Sequence, residues 1–358
     1  MDPIGRPNDD FRKKLTVDQI HSICRRNGIP RPTRIEPEER GNEKVIYYLD
    51  DRLAMQFLAV ERDVEALRLL EHIDEIPTAQ VITWSKSDPD VGVSCLITTR
   101  CPGTRLDALW RGTDDSDKAD ILRAVGKGMS RYHSVSPDSA IHLATDLGYD
   151  SLTGDDRSRE RTFLEGRRER VRNRIDNIAA LLHTVDDHPD ELLAAIRSHL
   201  DSASPARLLP FGLTHPEPWV EHYIVGELDG GYALTGCIDI EWLKISDPGV
   251  ELTVLYATIL AHSEEWWDAF ADGYSTHHTL PDDARERCHD LAIDFDAWSL
   301  SSSAGDALLV DGEVIDDGNH LTAWRTHCGR GHARRLRWLL GLDPDYSEVL
   351  FRSDIGPW

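Results

Sequence analysis

The stretch from residue 211 to residue 253 carries His215, Glu217, Glu221, His222, Asp239 and Glu241. Carboxylates and imidazoles are the side chains that accept protons near neutral pH and hold divalent cations, provided several of them meet at one point. The intervening residues supply the means. Tyr223 to Val225 reads as a short strand, Asp229-Gly230-Gly231 as a turn, and Tyr232 to Ile238 as a return strand ending on Asp239, the pattern of a hairpin. The return strand brings Asp239 back beside His222, and Glu217 stands five residues before His222 in the loop that leads in. Carboxylates gathered this closely repel one another unless a cation lies between them, so a metal is expected here. By residue type alone, Glu217, His222 and Asp239 also allow a transition-metal site for hydrolytic chemistry.

The elements that must position these groups follow in chain order. Thr16 and Gln19 form a capping box for a helix to Asn27, stopped by Gly28, with Leu15 and Ile20 as a staple. Val45 to Leu49 and Leu53 to Leu58, joined by Asp50-Asp51, read as a hairpin. Apolar residues at 60, 64, 67 and 70 have helical spacing, and Gln80 to Trp84 and Val93 to Thr98 read as strands. A helix is expected over 117–135. Its His133 is expected to be packed or capping and not a ligand. The Arg-rich stretch 157–174 is read as a solvated helix, ahead of a phosphate- or RNA-binding stripe. Leu252 to Ala261 and Leu321 to Leu342 are expected helices, and the aromatic residues from Trp266 to Tyr274 have the spacing of a packed helix face. His327, Cys328 and His332 lack the spacing of a zinc site and are read as structural.

Composition narrows the partners. The 358 residues carry a formal charge of -24 with 40% hydrophobic residues, enough apolar content for a folded core. Only 7 of the 40 basic residues are Lys. A surface this acidic fits a salt-adapted protein and argues against nucleic-acid binding, which needs a basic face. The six cysteines form no C-x-x-C pair, as expected of reduced thiols in the cytoplasm. No secretion signal or membrane span is legible.

One spacing carries a resemblance. Leu213-Thr214-His215-Pro216-Glu217, separated from His222 by four residues, is followed by Ile238-Asp239-Ile240-Glu241-Trp242 and by Asp247-Pro248. This resembles the aminoglycoside phosphotransferase and choline kinase family, which reads H-G-D-x-x-x-x-N, then I-D-W-E, then G-D-P. The resemblance covers about Glu36 to Tyr274. It departs at Glu217, where the family has its catalytic Asp, at His222, where it has a metal-binding Asn, and at Gln56, where it has a Lys.

The resemblance implies an α+β, protein-kinase-like bilobal fold, with a small antiparallel-sheet lobe and a mostly helical large lobe. Residues 1–35 would be an N-terminal extension with a helix, and 36–103 the nucleotide-binding lobe and hinge. Residues 104–358 would be the large lobe, with a helical substrate-pocket insert at 104–205, the catalytic hairpin at 211–253 and C-terminal helices. Gly41 and Asn42 would turn over the phosphates and Gln56 would stand on the third strand. Asp63, with Glu61 and Glu65 competing, would be the acid of the following helix, and Thr99 to Cys101 would meet the base. Asp239 and His222 would hold Mg²⁺ or Mn²⁺, an imidazole favouring Mn²⁺ or Zn²⁺ over Mg²⁺. His215 would face the core. Glu217 would accept the proton of the attacking hydroxyl, and a buried structural Glu is the competing reading of that position.

The activity implied is phosphoryl transfer from ATP or GTP to a small-molecule hydroxyl, dependent on a divalent metal. The alternative is a degenerate kinase-like protein that binds a nucleotide or metabolite without transfer.

Overall fold

The computed structural model describes residues 11, 15–38, 44–73, 76–147, 159–202, 210–215, 219–240, 243–304, 309–310, 313–314, 320–344, 349 and 351. Five strands, β1 (Ile35–Pro37), β2 (Val45–Leu49), β3 (Leu53–Phe57), β4 (Val81–Ser85) and β5 (Cys95–Thr99), form an antiparallel sheet in the order β1-β2-β3-β5-β4. The β2–β3 turn works because Asp50 and Asp51 both take left-handed backbone (φ 50° and 57°), the geometry that matches the twist of a tight hairpin. Asp50 offsets that cost by accepting hydrogen bonds from the Thr33 and Arg34 amides, each 2.8 Å.

Alternation along β2 decides what each face of the sheet meets. Val45, Tyr47 and Leu49 are buried while Ile46 and Tyr48 are half-buried. The buried face packs on helix α1 (Val17–Arg26) through Ile20, Ile23 and Cys24. The capping box on Thr16 and Gln19 forms as expected, and Arg26 ties the helix to Asp88 and Asp90. The N-terminal helix is thus half of a second hydrophobic core. The other face of the sheet meets helix α2 (Glu61–Glu71), with Leu96 packed in the same cluster as Val64 and Leu67.

After β5 the chain runs through Pro102-Gly103 into β6 (Thr104–Arg105) and helix α3 (Leu106–Arg111). Gly103 has φ 131°, and a Cβ there would stand 2.3 Å from the Val225 carbonyl oxygen, so only glycine fits. Helices α4 (Asp115–Ser134), α5 (Pro137–Asp146), α6 (Arg159–Asn173), α7 (Ile175–Val185) and α8 (Pro189–Asp201) follow. The last two are separated by residues 186–188. The hairpin strands β8 (Tyr223–Leu228) and β9 (Gly231–Cys237) pair with β6, and β7 (Gly212–Thr214) pairs with β10 (Lys244–Ser246). Helices α9 (Pro248–Thr258), α10 (Glu264–Tyr274), α11 (Ala284–Ser303) and α12 (His320–Leu339) complete the helical part, with short strands β11 (Leu309–Val310) and β12 (Glu313–Val314) between the last two. This is the protein-kinase-like α+β fold that the motifs imply. No disulfide joins the six cysteines, all of them buried. No helix among the described residues is long and apolar enough to cross a membrane.

Two expectations need correction. Helix α9 begins at Pro248, four residues before the apolar run expected from Leu252. Asp247 caps it by accepting the Gly249 amide at 2.8 Å, and Pro248 occupies the first turn, where its missing N–H costs nothing. The Arg-rich helix α6 is not simply solvated. Arg168 is buried with both Asp294 oxygens 2.8 Å from its Nε, and Arg167 lies 4.8 Å over the Trp298 ring. Burial pushes the Arg167 guanidinium down to about 10. Long charged side chains cover apolar surface as readily as they face water, so a run of arginines does not mark its own exposed face.

Candidate active site

The site is assembled by the two small sheets around the loop 215–222. Strand β7 delivers His215, and β8 begins immediately after a turn of 3-10 helix, Val220–His222. Tyr223 pairs with Cys237 in the β8–β9 ladder, and the Ile238 amide donates to the His222 carbonyl at 2.9 Å. That continuation of the hairpin sets His222 beside Asp239, with Nε2 3.6 Å from Oδ2. The His222 ring stacks on His215 at 5.4 Å. His215 itself is buried, its Nε2 2.9 Å from the Ile238 carbonyl that must accept its proton, which agrees with a core-facing structural role.

Asp239 adopts φ 64°, the left-handed region that only a few non-glycine residues enter. Such a conformation costs on the order of 1–3 kcal/mol and persists where surrounding structure enforces it. Burial raises the Asp239 carboxyl, but His222, Lys44 and His215 outweigh it and hold the group below its ordinary value. Asp239 is therefore an anion at neutral pH, set between His222 and Lys44.

The second of these partners was not singled out in the sequence. Lys44, immediately before β2, places Nζ 2.6 Å from Asp63 Oδ1 and 3.4 Å from Asp239 Oδ1. Asp63 is buried in the first turn of α2, its other oxygen accepting the Val60 amide at 2.7 Å. Of the acids competing for this position, the described geometry joins Asp63 to the site, whereas Glu61 pairs with Lys86. Gln56 lies on β3 opposite Ile46 and Leu96. The positive charge absent at Gln56 is thus present from a neighbouring strand. The sequence did hold a signal for it: Lys44 is one of few lysines and directly precedes β2.

Beneath the loop lies a buried carboxylate. Glu251 of α9 accepts the His215 amide at 2.7 Å and the Tyr223 hydroxyl at 2.8 Å, and sits 3.0 Å from His133 Nε2. Burial raises the Glu251 carboxyl, yet His133 and His215 bring it net below its usual value. His133 is closed on its other side by the Tyr274 hydroxyl at 2.6 Å, the packed role expected of it. His332, paired with Asp296 at 2.8 Å beside Arg335, is likewise structural.

Thr99 and Cys101 lie where β5 leaves the sheet. The Thr99 amide donates to Gln80, Cys101 is buried, and Thr235 of β9 donates to the Pro102 carbonyl, so the hinge rests on the hairpin. Glu217, Gly41, Asn42 and Glu241 lie outside the described residues.

Asp239 and His222 are donor types that can hold a divalent cation. Two ligand atoms around one octahedral ion at about 2.1 Å are about 3 Å apart against the 3.6 Å seen here, so the pair would have to draw together to share one. Among the described residues no group of three or more His, Cys, Asp and Glu is placed to hold a metal alone.

Comparison with known proteins bears on the family and the fold. The family model described as phosphotransferase enzyme family matches residues 50–290, more than half of the chain. The GDP complex of wild-type aminoglycoside 2'-phosphotransferase-IIIa is similar in structure at TM-score 0.58 and 14% identity, covering 86% of this chain and 98% of that one. The macrolide 2'-phosphotransferase of Brachybacterium faecium aligns at TM-score 0.56 and 16% identity, covering 89% and 98%. The streptomycin and ATP ternary complex of aminoglycoside phosphotransferase (2")-IIa aligns at TM-score 0.51 and 13% identity, covering 84% and 95%. A search of curated proteins by sequence finds no match. With that match over more than half of its length, the chain belongs to the phosphotransferase enzyme family.

Proposed function

We propose that the protein transfers a phosphoryl group from ATP or GTP to a hydroxyl of a small molecule, with a divalent cation. The observation that carries this reading is the line Asp63–Lys44–Asp239, which joins helix α2 and the sheet to the end of the catalytic hairpin. Phosphoryl transfer asks mainly for positioning and charge neutralisation, and an ammonium shared by two carboxylates from distant parts of the chain supports that reading. The nucleotide neighbours in similar structures, GDP and ATP, support the choice of donor.

Asp239 and His222 would hold the cation, whose contribution is to neutralise charge on the phosphates. Lys44 steadies the phosphates while Asp63 holds its ammonium in place. Glu217 accepts the proton of the attacking hydroxyl. Its reach is about a methylene longer than that of Asp, and errors on the order of 1 Å cost roughly 10²-fold, so its loop must hold it closely. Pro216 and Pro218 flank it in sequence and restrict that loop.

The test is nucleotide turnover with Mg²⁺, Mn²⁺ and Zn²⁺ across a panel of hydroxylated small molecules, alongside nucleotide binding by thermal shift. Glu217→Gln should bind nucleotide as wild type does and lose about 10²–10⁴-fold in turnover. Nucleotide binding that needs Asp239 but never leads to turnover would establish the binding-protein alternative instead.

A further inference from the structure

The strand position that carries a lysine in related enzymes holds Gln56 here, which on its face removes a charge that phosphoryl transfer requires. The ladder shows how the loss is made good. In β2 and β3, Val45 stands opposite Phe57 and Ile46 opposite Gln56. Val45 and Phe57 share the buried face on α1, so Ile46 and Gln56 share the opposite one, the face toward α2. By the same alternation Lys44, two residues before Ile46, joins the face of Gln56 as its diagonal neighbour, about 7–8 Å away along the sheet. A lysine side chain spans that distance, so an ammonium launched from 44 reaches the place one launched from 56 would reach. It is found there, 2.6 Å from Asp63 and with only 11% of its side chain exposed.

Leu58 turns left-handed (φ 64°) while its amide continues the β3–β5 pairing to the Ser94 carbonyl, and the β2–β3 ladder ends at Val45 and Phe57. Lys44, one residue before that last pair, carries its ammonium to Asp63 and Asp239. Asp63 fits this arrangement. Asp63, one methylene shorter than the usual Glu, meets the lysine that precedes β2, and its second oxygen is already fixed by the Val60 amide.

We propose that Lys44 is the phosphate-binding lysine of this protein, relocated from β3 to the start of β2, and that Gln56 is a consequence of that relocation and not a loss of function. The inference rests on the phosphotransferase reading of the site. It makes the charge transferable: a lysine restored at 56 should replace one removed at 44.

The experiment compares wild type, Lys44→Gln and the double variant Lys44→Gln/Gln56→Lys for MgATP and MgGTP affinity by calorimetry, with melting temperature as a check of folding. Lys44→Gln should weaken nucleotide binding by about 10–100-fold, the loss of one charge-assisted contact, and the double variant should regain most of it together with any stability lost from Asp63. Wild type that binds nucleotide no better than Lys44→Gln overturns the assignment of Lys44 and leaves the phosphotransferase reading standing. A double variant as weak as Lys44→Gln overturns the relocation. Wild type that binds neither nucleotide with any divalent metal overturns the phosphotransferase reading, and this inference with it.

Discussion

His222 and Asp239 face each other at the open end of the β8–β9 hairpin, Nε2 to Oδ2 at 3.6 Å, one and two residues beyond the last ladder pair, Tyr223 and Cys237. The two positions are brought together by backbone registry, since Ile238 donates to the His222 carbonyl, and so they stay adjacent when either side chain is changed. What the pair binds is then set by its donor types. His222→Asn, which returns an oxygen donor, should shift metal preference from Mn²⁺ or Zn²⁺ toward Mg²⁺. Metal titrations of nucleotide affinity would check it, and an unchanged metal order would remove His222 from the ligand set.

Asp239→Ala should abolish metal-dependent nucleotide binding, because it removes the anionic member of the pair. The same variant relieves a left-handed residue of its carboxylate without relieving its φ, so little stability should be gained in return. Nucleotide affinity equal to wild type in the presence of metal would rule out this carboxylate as a ligand.

Glu251 should matter to stability and not only to the loop it supports. Glu251→Ala leaves the His215 amide, Tyr223 and His133 without their acceptor, a loss of about 3–5 kcal/mol for a broken buried network. Because the folded-state Glu251 carboxyl lies below its ordinary value, its contribution is complete above the unfolded pKa and is lost as pH falls through the folded one. Denaturant titrations should show the wild-type advantage over Glu251→Ala shrinking only on the acid side.

His262 stacks on Trp338 at 4.3 Å, and burial, with Arg335 nearby, lowers it to about 4. Between that value and the ordinary one the unfolded chain binds the extra proton, so stability rises with pH across this window and is lost as pH falls through it. The effect amounts to on the order of 2–3 kcal/mol. His262→Phe keeps the ring and removes the proton, so its unfolding free energy should vary less between about pH 7 and about pH 4. Parallel pH profiles for the two proteins would exclude His262 as the source.

The charge of -24 predicts that the fold gains stability as salt rises and screens self-repulsion. Melting temperature should increase from low salt to about molar KCl. A flat or falling curve would mean that specific ion pairs, such as those of Arg26 and Arg168, outweigh the general repulsion.

Local rules of the chain determined a good deal. Asp50-Asp51 and Asp229-Gly230 force left-handed turns, so both hairpins and their registers follow from neighbours in sequence. The capping box on α1, the Pro102-Gly103 exit from the sheet and the meeting of His222 with Asp239 are legible for the same reason. The tertiary structure alone decided what joins residues far apart. Lys44 and Asp239 are separated by 195 positions, and no periodicity or turn chemistry links a lysine before one strand to an aspartate after another. The helix α6 arginines show the same limit, since Arg168 is buried by Asp294 from a helix 126 positions away. Sequence pattern reports which face of an element is apolar; which charged side chain crosses to a distant partner depends on how the elements pack, because an ion pair is formed by distance in space and leaves no period in the chain.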